Sequence, residues 1–223
     1  MGWFGSICSG IGSFISSACD VVSSVASSIG SALSSAASGL LKVAGAYFSP
    51  MVNIISAVAQ MLGVFKKEDN PEDLGRRASI SEKKPEDFDS TEQYIEHLKN
   101  DIQIDREKMK KETNIDKMAY QAIGAGIAVK GISEKKGFDI PLEAWATFAK
   151  LGMEHKEKEV NALLDDFKGD IGKLTEYAEG KLNAKDEMTV GNQLVETYQR
   201  LEPAMSEADI EKKVMELEVG GNL

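Results

Sequence analysis

The sequence has few of the residues from which catalytic and metal sites are built. Its 223 residues include two cysteines and two histidines, and His97 and His155 lie in unrelated stretches. Cys8 and Cys19 are too few for a disulfide framework. Glycine-rich phosphate loops, His-Glu-x-x-His pairs and nucleophile elbows are also absent from the sequence. We therefore expect no catalytic residue, no cofactor-binding residue, no cofactor and no metal, and the chain is not predicted to be an enzyme.

Charge is nearly missing from the N-terminal third. Residues 1–65 contain Asp20 and Lys42 as their only charged side chains, whereas residues 66–223 carry the whole net charge of −10. Because an acidic protein repels phosphates, no nucleic acid is expected as a partner. No positive segment precedes the first apolar residues, which argues against a cleavable export signal. The chain is thus expected to combine two parts of different physical character.

Within the uncharged part, the larger residues recur at helical spacing. Serine makes up 14 of the first 49 residues, but apolar side chains return every three or four positions, which is the period of an amphipathic helix. The opposite face is serine and glycine rather than the Lys and Glu that normally face water. The apolar stripe consists of Ile7, Ile11, Phe14, Ala18, Val22, Val25, Ile29, Leu33, Ala36, Leu40, Val43 and Tyr47.

The few charges divide this part into tracts that match a bilayer in length. Val21–Leu41 and Val43–Phe65 hold 21 and 23 uncharged residues, and a membrane-spanning helix needs about 20. Serine hydroxyls can bond to backbone carbonyls or to neighbouring helices inside a membrane. We therefore predict that residues 1–65 are an uncharged, helical membrane-insertion segment. The alternative is that they pack on the acidic half or in an oligomer without entering a membrane.

This prediction assigns a role to each face of the segment. The residues expected to enter lipid are Val22, Val25, Ile29, Leu33, Leu40, Ile54, Ile55, Val58 and Leu62. The residues expected to face a pore are Ser27, Ser31, Ser34 and Ser38, and the flanking charges are Asp20, Lys42, Lys66 and Lys67.

Residues 66–90 differ abruptly from the segment before them. They mix acidic and basic side chains and contain Pro71 and Pro85, which predicts a flexible charged linker.

Residues 91–223 are predicted to form an acidic helical domain. Ser90, Asn114 and Ser206 are typical helix-capping residues, and no run alternates at the period of a strand. Ala119–Val129 is an uncharged run too short to span a membrane, so we predict a buried core helix there. The expected fold class is all-α, with long Ser/Gly/Ala-rich amphipathic N-terminal helices followed by an acidic multi-helix bundle.

Uncharged Ser/Gly/Ala-rich helices, an acidic helical body and the lack of an export signal together resemble the small antibacterial pore-forming effectors of bacterial type VI secretion systems. Val21–Leu41 and Val43–Phe65 carry this resemblance, which is one of architecture over about a third of the chain. It implies a toxin made in the bacterial cytoplasm without a signal peptide and then secreted. In the inner membrane of the recipient cell, such a toxin would insert, form an oligomeric ion-conducting pore and cause depolarisation. Charges introduced at Ile29 and Ile55 are then expected to abolish toxicity while leaving the acidic half folded.

The resemblance also implies partners. These are the lipid membrane, a cognate immunity protein, a secretion tube or chaperone carrier, and further copies of the chain in the membrane. Self-association is expected because two or three spans are too few to enclose a water-filled pore. Two other functions stay open at this point: an ejected or structural helical protein of a phage or secretion machine, and a soluble helical interaction protein with no membrane activity.

Overall fold

The computed structural model describes the backbone of residues 3–218 and the side chains of residues 12–218. Within this part of the chain the regular secondary structure is helical and there is no strand, which confirms the predicted all-α fold class. Short 3-10 turns lie at Gly45–Tyr47 and Pro85–Asp87. The α-helices are α1 (Trp3–Ser24), α2 (Ala26–Ile29), α3 (Ser31–Ala44), α4 (Phe48–Met61), α5 (Pro71–Ile80), α6 (Thr91–Asp101), α7 (Arg106–Met109), α8 (Asn114–Lys136), α9 (Leu142–Lys150), α10 (Glu157–Asp166), α11 (Ile171–Ala178), α12 (Ala184–Leu201) and α13 (Glu207–Met215).

Helix α8 lies at the centre of the fold. Thr113 caps it in place of the predicted Asn114, because the Thr113 hydroxyl accepts from the Asp116 N–H while the Asp116 carboxylate accepts from the Thr113 N–H. Every residue from 122 to 129 is buried, since α1, α3, α4, α5 and α6 all pack on this helix. The prediction of a buried core helix over this apolar run is confirmed.

The prediction of a flexible linker over residues 66–90 is wrong for its middle part, which is α5. Asn70 caps this helix by accepting hydrogen bonds from the backbone N–H groups of Glu72 and Asp73, and Pro71 takes the first helical position. The helix packs closely against α8. Mixed charge therefore does not mark a linker here, because charges of this segment are paired within the fold.

Arg76 shows this pairing most clearly. The residue is only 5% exposed, and its Nε and Nη2 donate hydrogen bonds of 2.7 Å to the two carboxylate oxygens of Glu112. Nη2 also donates to Glu72, and the guanidinium lies over the ring of Tyr120. The hydrogen bond to Glu112 is the main cause that raises the pKa of Arg76. A buried charge compensated in this way fixes α5 to the segment before α8.

Helices α5 and α8 also touch through their backbones at two glycines. A Cβ atom added to Gly75 would lie 1.9 Å from the carbonyl oxygen of Tyr120, and one added to Gly124 would lie 1.9 Å from that of Pro71. No side chain of any size fits at either position. The crossing of these two helices therefore requires glycine on both sides.

Helix boundaries in the acidic half are predicted only in part. Ser206 caps α13 as expected, since its hydroxyl accepts from the Asp209 N–H. Helix α6 starts after Ser90 as predicted and ends at Asp101. Nη1 of Arg77 donates to the carbonyl oxygens of Leu98 and Ile102. A side chain from α5 therefore supplies hydrogen bonds to carbonyl groups that lack a partner within α6 at its C-terminal end.

Two tyrosines of the acidic half are completely enclosed. Tyr94 and Tyr198 are 1% and 0% exposed, and the hydroxyl of Tyr198 donates a hydrogen bond to Glu159. Burial is the main cause that raises the pKa of each hydroxyl above its ordinary value of 10. Above that pH the unfolded chain loses both protons while the folded chain keeps them.

We therefore expect the free energy of unfolding to fall as the pH rises above about 10. Well above pH 10, each tyrosine lowers the free energy of unfolding by about 1.4 kcal/mol per pH unit. Below about pH 10 the stabilisation from the two protonated hydroxyls is fully present. Urea unfolding between about pH 9 and pH 11 measures the slope. The double variant Tyr94→Phe/Tyr198→Phe should give a shallower slope; an unchanged slope would show that other groups cause the alkaline loss.

Candidate membrane-insertion surface

Helices α1 and α3 lie side by side and run in opposite directions. The chain reverses at Gly30, where φ is +79°, and Cys19 Sγ lies 4.0 Å from the Ser38 carbonyl oxygen. Helix α1 also packs against the turn Gly45–Tyr47, at which α3 gives way to α4. Gly45 has a φ of +52°, a backbone conformation that favours glycine and produces the bend.

The nine residues predicted to enter lipid all pack into the protein core. This core is shared with the acidic half, because it also contains residues of α8, α9 and α10. These nine residues are therefore covered by protein in the described fold, and their role in lipid stays a prediction. Fully buried are Val22, Ile29, Leu33, Leu40, Ile54, Ile55 and Val58, and partly buried against the same core are Val25 and Leu62.

This packing corrects the expected effect of charges in the stripe. Ile29 and Ile55 are both 0% exposed, so a charge at either position would sit uncompensated in the shared core. Such a variant would disturb the acidic half as well, contrary to the expectation from the sequence. Exposed positions are needed to separate folding from membrane activity.

Serines occupy the outer surface of the same helices. Ser27 and Ser31 are exposed, whereas Ser34 and Ser38 are partly buried. The separation into an apolar inner and a polar outer face follows the predicted helical period. Whether these serines line a pore is a separate matter and stays a prediction.

The four flanking charges are exposed as well. Asp20 and Lys42 lie on α1 and α3, and Lys66 and Lys67 follow the end of α4. Lys66 Nζ donates to Glu96 at 2.8 Å, a hydrogen bond that raises the pKa of Lys66 and lowers that of Glu96. Asp20 and Lys42 therefore lie within the N-terminal helices, whereas Lys66 and Lys67 lie beyond the last of them.

Contacts between the N-terminal helices and the body are chiefly apolar. A methyl carbon of Leu33 occupies the space above Gly126 of α8, and a methyl carbon of Leu142 at the start of α9 occupies that above Gly39. A polar contact also crosses this boundary, since Asn53 Nδ2 donates to Glu154 Oε1 at 2.7 Å. Because that bond lies at the surface, its contribution to stability is small.

One helical stretch among the described residues, Ser31–Met61, meets the length and composition of a membrane span. An 18-residue window of this stretch has a mean hydropathy of 1.3, and 44% of that window is buried in the fold. This stretch combines parts of the two predicted tracts and includes Lys42. A buried core helix passes the same test, so hydropathy alone does not separate insertion from packing.

A serine, a histidine and an aspartate also come together, which the sequence did not predict. His97 Nδ1 lies 2.7 Å from Asp101 Oδ2, and its Nε2 lies 3.4 Å from Ser81 Oγ. The Ser81 hydroxyl, however, donates to the Lys83 carbonyl oxygen at 2.7 Å, and Ser81 is 2% exposed. A hydroxyl bonded to its own turn and closed to solvent serves to hold that turn. In the sequence, the i, i+4 spacing of His97 and Asp101 could have indicated that these two side chains meet.

Comparison with known proteins gives no family to which the chain can be assigned: no protein-family model, curated protein sequence or solved structure matches it. Among the described residues no group of three or more His, Cys, Asp or Glu side chains is placed to hold a metal ion. The physical properties of the N-terminal helices are therefore the features that indicate a function.

Proposed function

We propose that the chain is an antibacterial pore-forming toxin of the type VI effector kind, whose helices α1–α4 leave the body and insert in the inner membrane of a recipient cell. The observation that carries the proposal is the surface of these helices. Their inner face is apolar, and serines predominate on the described outer face, where Phe14 and Tyr47 are exposed as well. Asp20 and Lys42 are the only charges of residues 1–65.

The free energy of insertion depends on the protein contacts that these helices lose, the lipid contacts that they gain and the cost of placing their charges in the bilayer. Their contacts with α8 and α9 are apolar, and lipid can replace such contacts at little cost. A charged side chain at the bilayer centre costs about 2.5–3.5 kcal/mol, and residues 1–65 carry two, each beside an uncharged tract. The acidic body, with a net charge of −10, stays in water and limits insertion to the N-terminal helices.

Several copies are needed to conduct ions. With two or three spans per chain, the apolar faces of neighbouring copies face lipid and their serine faces enclose the lumen. The pore depolarises the recipient membrane by passing ions. A cognate immunity protein protects the producing cell, and a secretion tube or carrier protein delivers the chain in its packed form.

The proposal predicts that a charge on the serine face controls ion selectivity. Ser27 is exposed, so Ser27→Glu and Ser27→Lys are expected to leave the soluble fold unchanged. In the pore they should shift the cation-to-anion permeability ratio several-fold in opposite directions. The ratio is measured as the reversal potential across a planar bilayer under a salt gradient.

Thr189 provides a matched control for this experiment. It is exposed on α12 of the acidic half, so Thr189→Glu and Thr189→Lys change the net charge equally and should leave the reversal potential unchanged. Equal shifts at the two positions would contradict a serine-lined lumen.

A second function is favoured by the packing itself. Because the nine residues predicted to enter lipid already pack into the shared core, a helical interaction protein that never opens would have the same structure in solution. Such a protein would leave lipid vesicles intact and would carry no current in a bilayer. If the wild-type chain carries no current across a bilayer, this second function is therefore supported.

A further inference from the structure

The bend between α3 and α4 packs against α9 of the body but leaves Ala46 and Tyr47 exposed at one end of the N-terminal helices. In the antiparallel arrangement marked by Cys19 and Ser38, Phe14 of α1 lies opposite the last turn of α3. It therefore lies beside the turn Gly45–Tyr47, against which α1 packs. We use the term aromatic tip for Phe14, Ala46 and Tyr47.

The aromatic tip does not take part in the core. Phe14 is 49% exposed and Tyr47 is 42% exposed, although both belong to the apolar stripe of the sequence. Ala46 and the neighbouring Gly12 and Ser49 are exposed and uncharged. Elsewhere along α1–α3 the large stripe residues Val22, Ile29, Leu33 and Leu40 are buried.

The distribution of charge indicates what can cover this tip. The acidic body repels anionic lipid headgroups, whereas residues 1–65 have no net charge and place the exposed Lys42 one turn before the bend. An approach to a bilayer is therefore least opposed at the tip. Aromatic side chains with neutral neighbours are also the groups that settle at the boundary between headgroups and acyl chains.

We propose that the aromatic tip is the membrane-docking site of the packed protein, and that Phe14 and Tyr47 enter the lipid interface before the helices separate from the body. This inference rests on the proposed insertion and names its first contact. Docking leaves the core closed, because both side chains are exposed already. It holds the bend Gly45–Tyr47, from which α3 and α4 diverge, at the surface of the membrane.

The experiment measures binding of the full chain to vesicles of phosphatidylcholine and phosphatidylglycerol in equal amounts, by flotation, at vesicle concentrations that span half-binding. The double variant Phe14→Ser/Tyr47→Ser is expected to bind roughly 10- to 30-fold more weakly than the wild type. The double variant Phe14→Trp/Tyr47→Trp should retain binding and show a blue-shifted tryptophan emission with vesicles. Circular dichroism and urea unfolding show that each variant is folded.

A matched control comes from the acidic half. Met188 and Met215 are 70% and 65% exposed, so Met188→Ser/Met215→Ser removes exposed apolar side chains of similar size away from the tip. Its vesicle binding should equal that of the wild type. Binding of the tip variant at wild-type affinity, or an equal loss in the control, would overturn the docking site.

The outcome separates docking from pore formation. Wild-type binding that depends on the tip but gives no conductance would support the docking site and overturn the pore. Conductance that persists in the Phe14→Ser/Tyr47→Ser variant at wild-type protein concentration would overturn the docking site and leave the pore. A wild-type chain that does not bind vesicles would overturn both.

Discussion

Gly124→Ala is expected to destabilise the protein, although alanine is normally the better helix former by about 1 kcal/mol. The added Cβ would lie 1.9 Å from the carbonyl oxygen and 2.7 Å from the Cα atom of Pro71. Both are backbone atoms that no rotamer change can move, so α5 must shift away from α8. We expect a loss of at least about 3 kcal/mol in the free energy of unfolding, measured by urea denaturation.

The same substitution at another helix provides the control. Gly172 lies in α11, and a Cβ there would meet no atom within 4 Å. Gly172→Ala should therefore be neutral or stabilise the protein by up to about 1 kcal/mol. The two alanine variants are thus predicted to change stability in opposite directions. A Gly124→Ala variant as stable as the wild type would contradict the close crossing of α5 and α8.

This crossing matters for function because it defines which part of the molecule stays together. Helices α5 and α8 are joined by the glycine contact and by the bonds of Arg76 to Glu112 and Glu72. The N-terminal helices pack on the other faces of α8 through apolar contacts. Opening of the fold for insertion is therefore expected between α8 and α1–α4, and not between α8 and α5.

The sequence predicted the faces of the N-terminal helices because these depend on spacing alone. Residues three or four apart share a helix face, so the burial of Val22, Ile29 and Leu33 and the exposure of Ser27 and Ser31 follow from the pattern. The all-α class followed in the same way. Whether the apolar face packs on protein or on lipid does not follow, because both environments favour the same side chains.

Long-range partners could not be predicted in this way. The mixed charges of residues 66–90 suggested a linker, because a single sequence does not show that Arg76 pairs with Glu112, 36 positions away. Gly75 and Gly124 are also far apart in the sequence. Only the crossing of α5 and α8 shows that both positions allow close contact between the two backbones. The aromatic tip shows a further limit of the pattern, since the helical period places Phe14 and Tyr47 in the stripe although both side chains are exposed in the fold.

The second large effect is expected from a covalent connection between α3 and α8. A Cβ atom added to Gly126 would lie 3.6 Å from the Cβ atom of Ala36, within the range of about 3.5–4.5 Å that a disulfide needs. It would also lie 2.8 Å from a terminal methyl carbon of Leu33, which can rotate away. Ala36→Cys/Gly126→Cys, combined with Cys8→Ser and Cys19→Ser, should therefore form this bond in the packed protein.

The oxidised protein cannot separate α3 from α8, whereas the reduced protein can. Insertion of α1–α4 requires that separation, so the disulfide is expected to abolish conductance and its reduction to restore it. The comparison uses one polypeptide in two redox states, which removes differences in sequence and purity. Each single-cysteine variant provides a further control, since it should conduct with and without a reducing agent.

The most direct test of the account is the conductance of a planar lipid bilayer exposed to this cross-linked protein, before and after reduction. We predict no current from the oxidised form and discrete current steps once the disulfide is reduced. Current steps with the disulfide intact would contradict the separation of the N-terminal helices from α8. If neither redox state nor the wild-type protein carries any current, pore formation itself is contradicted.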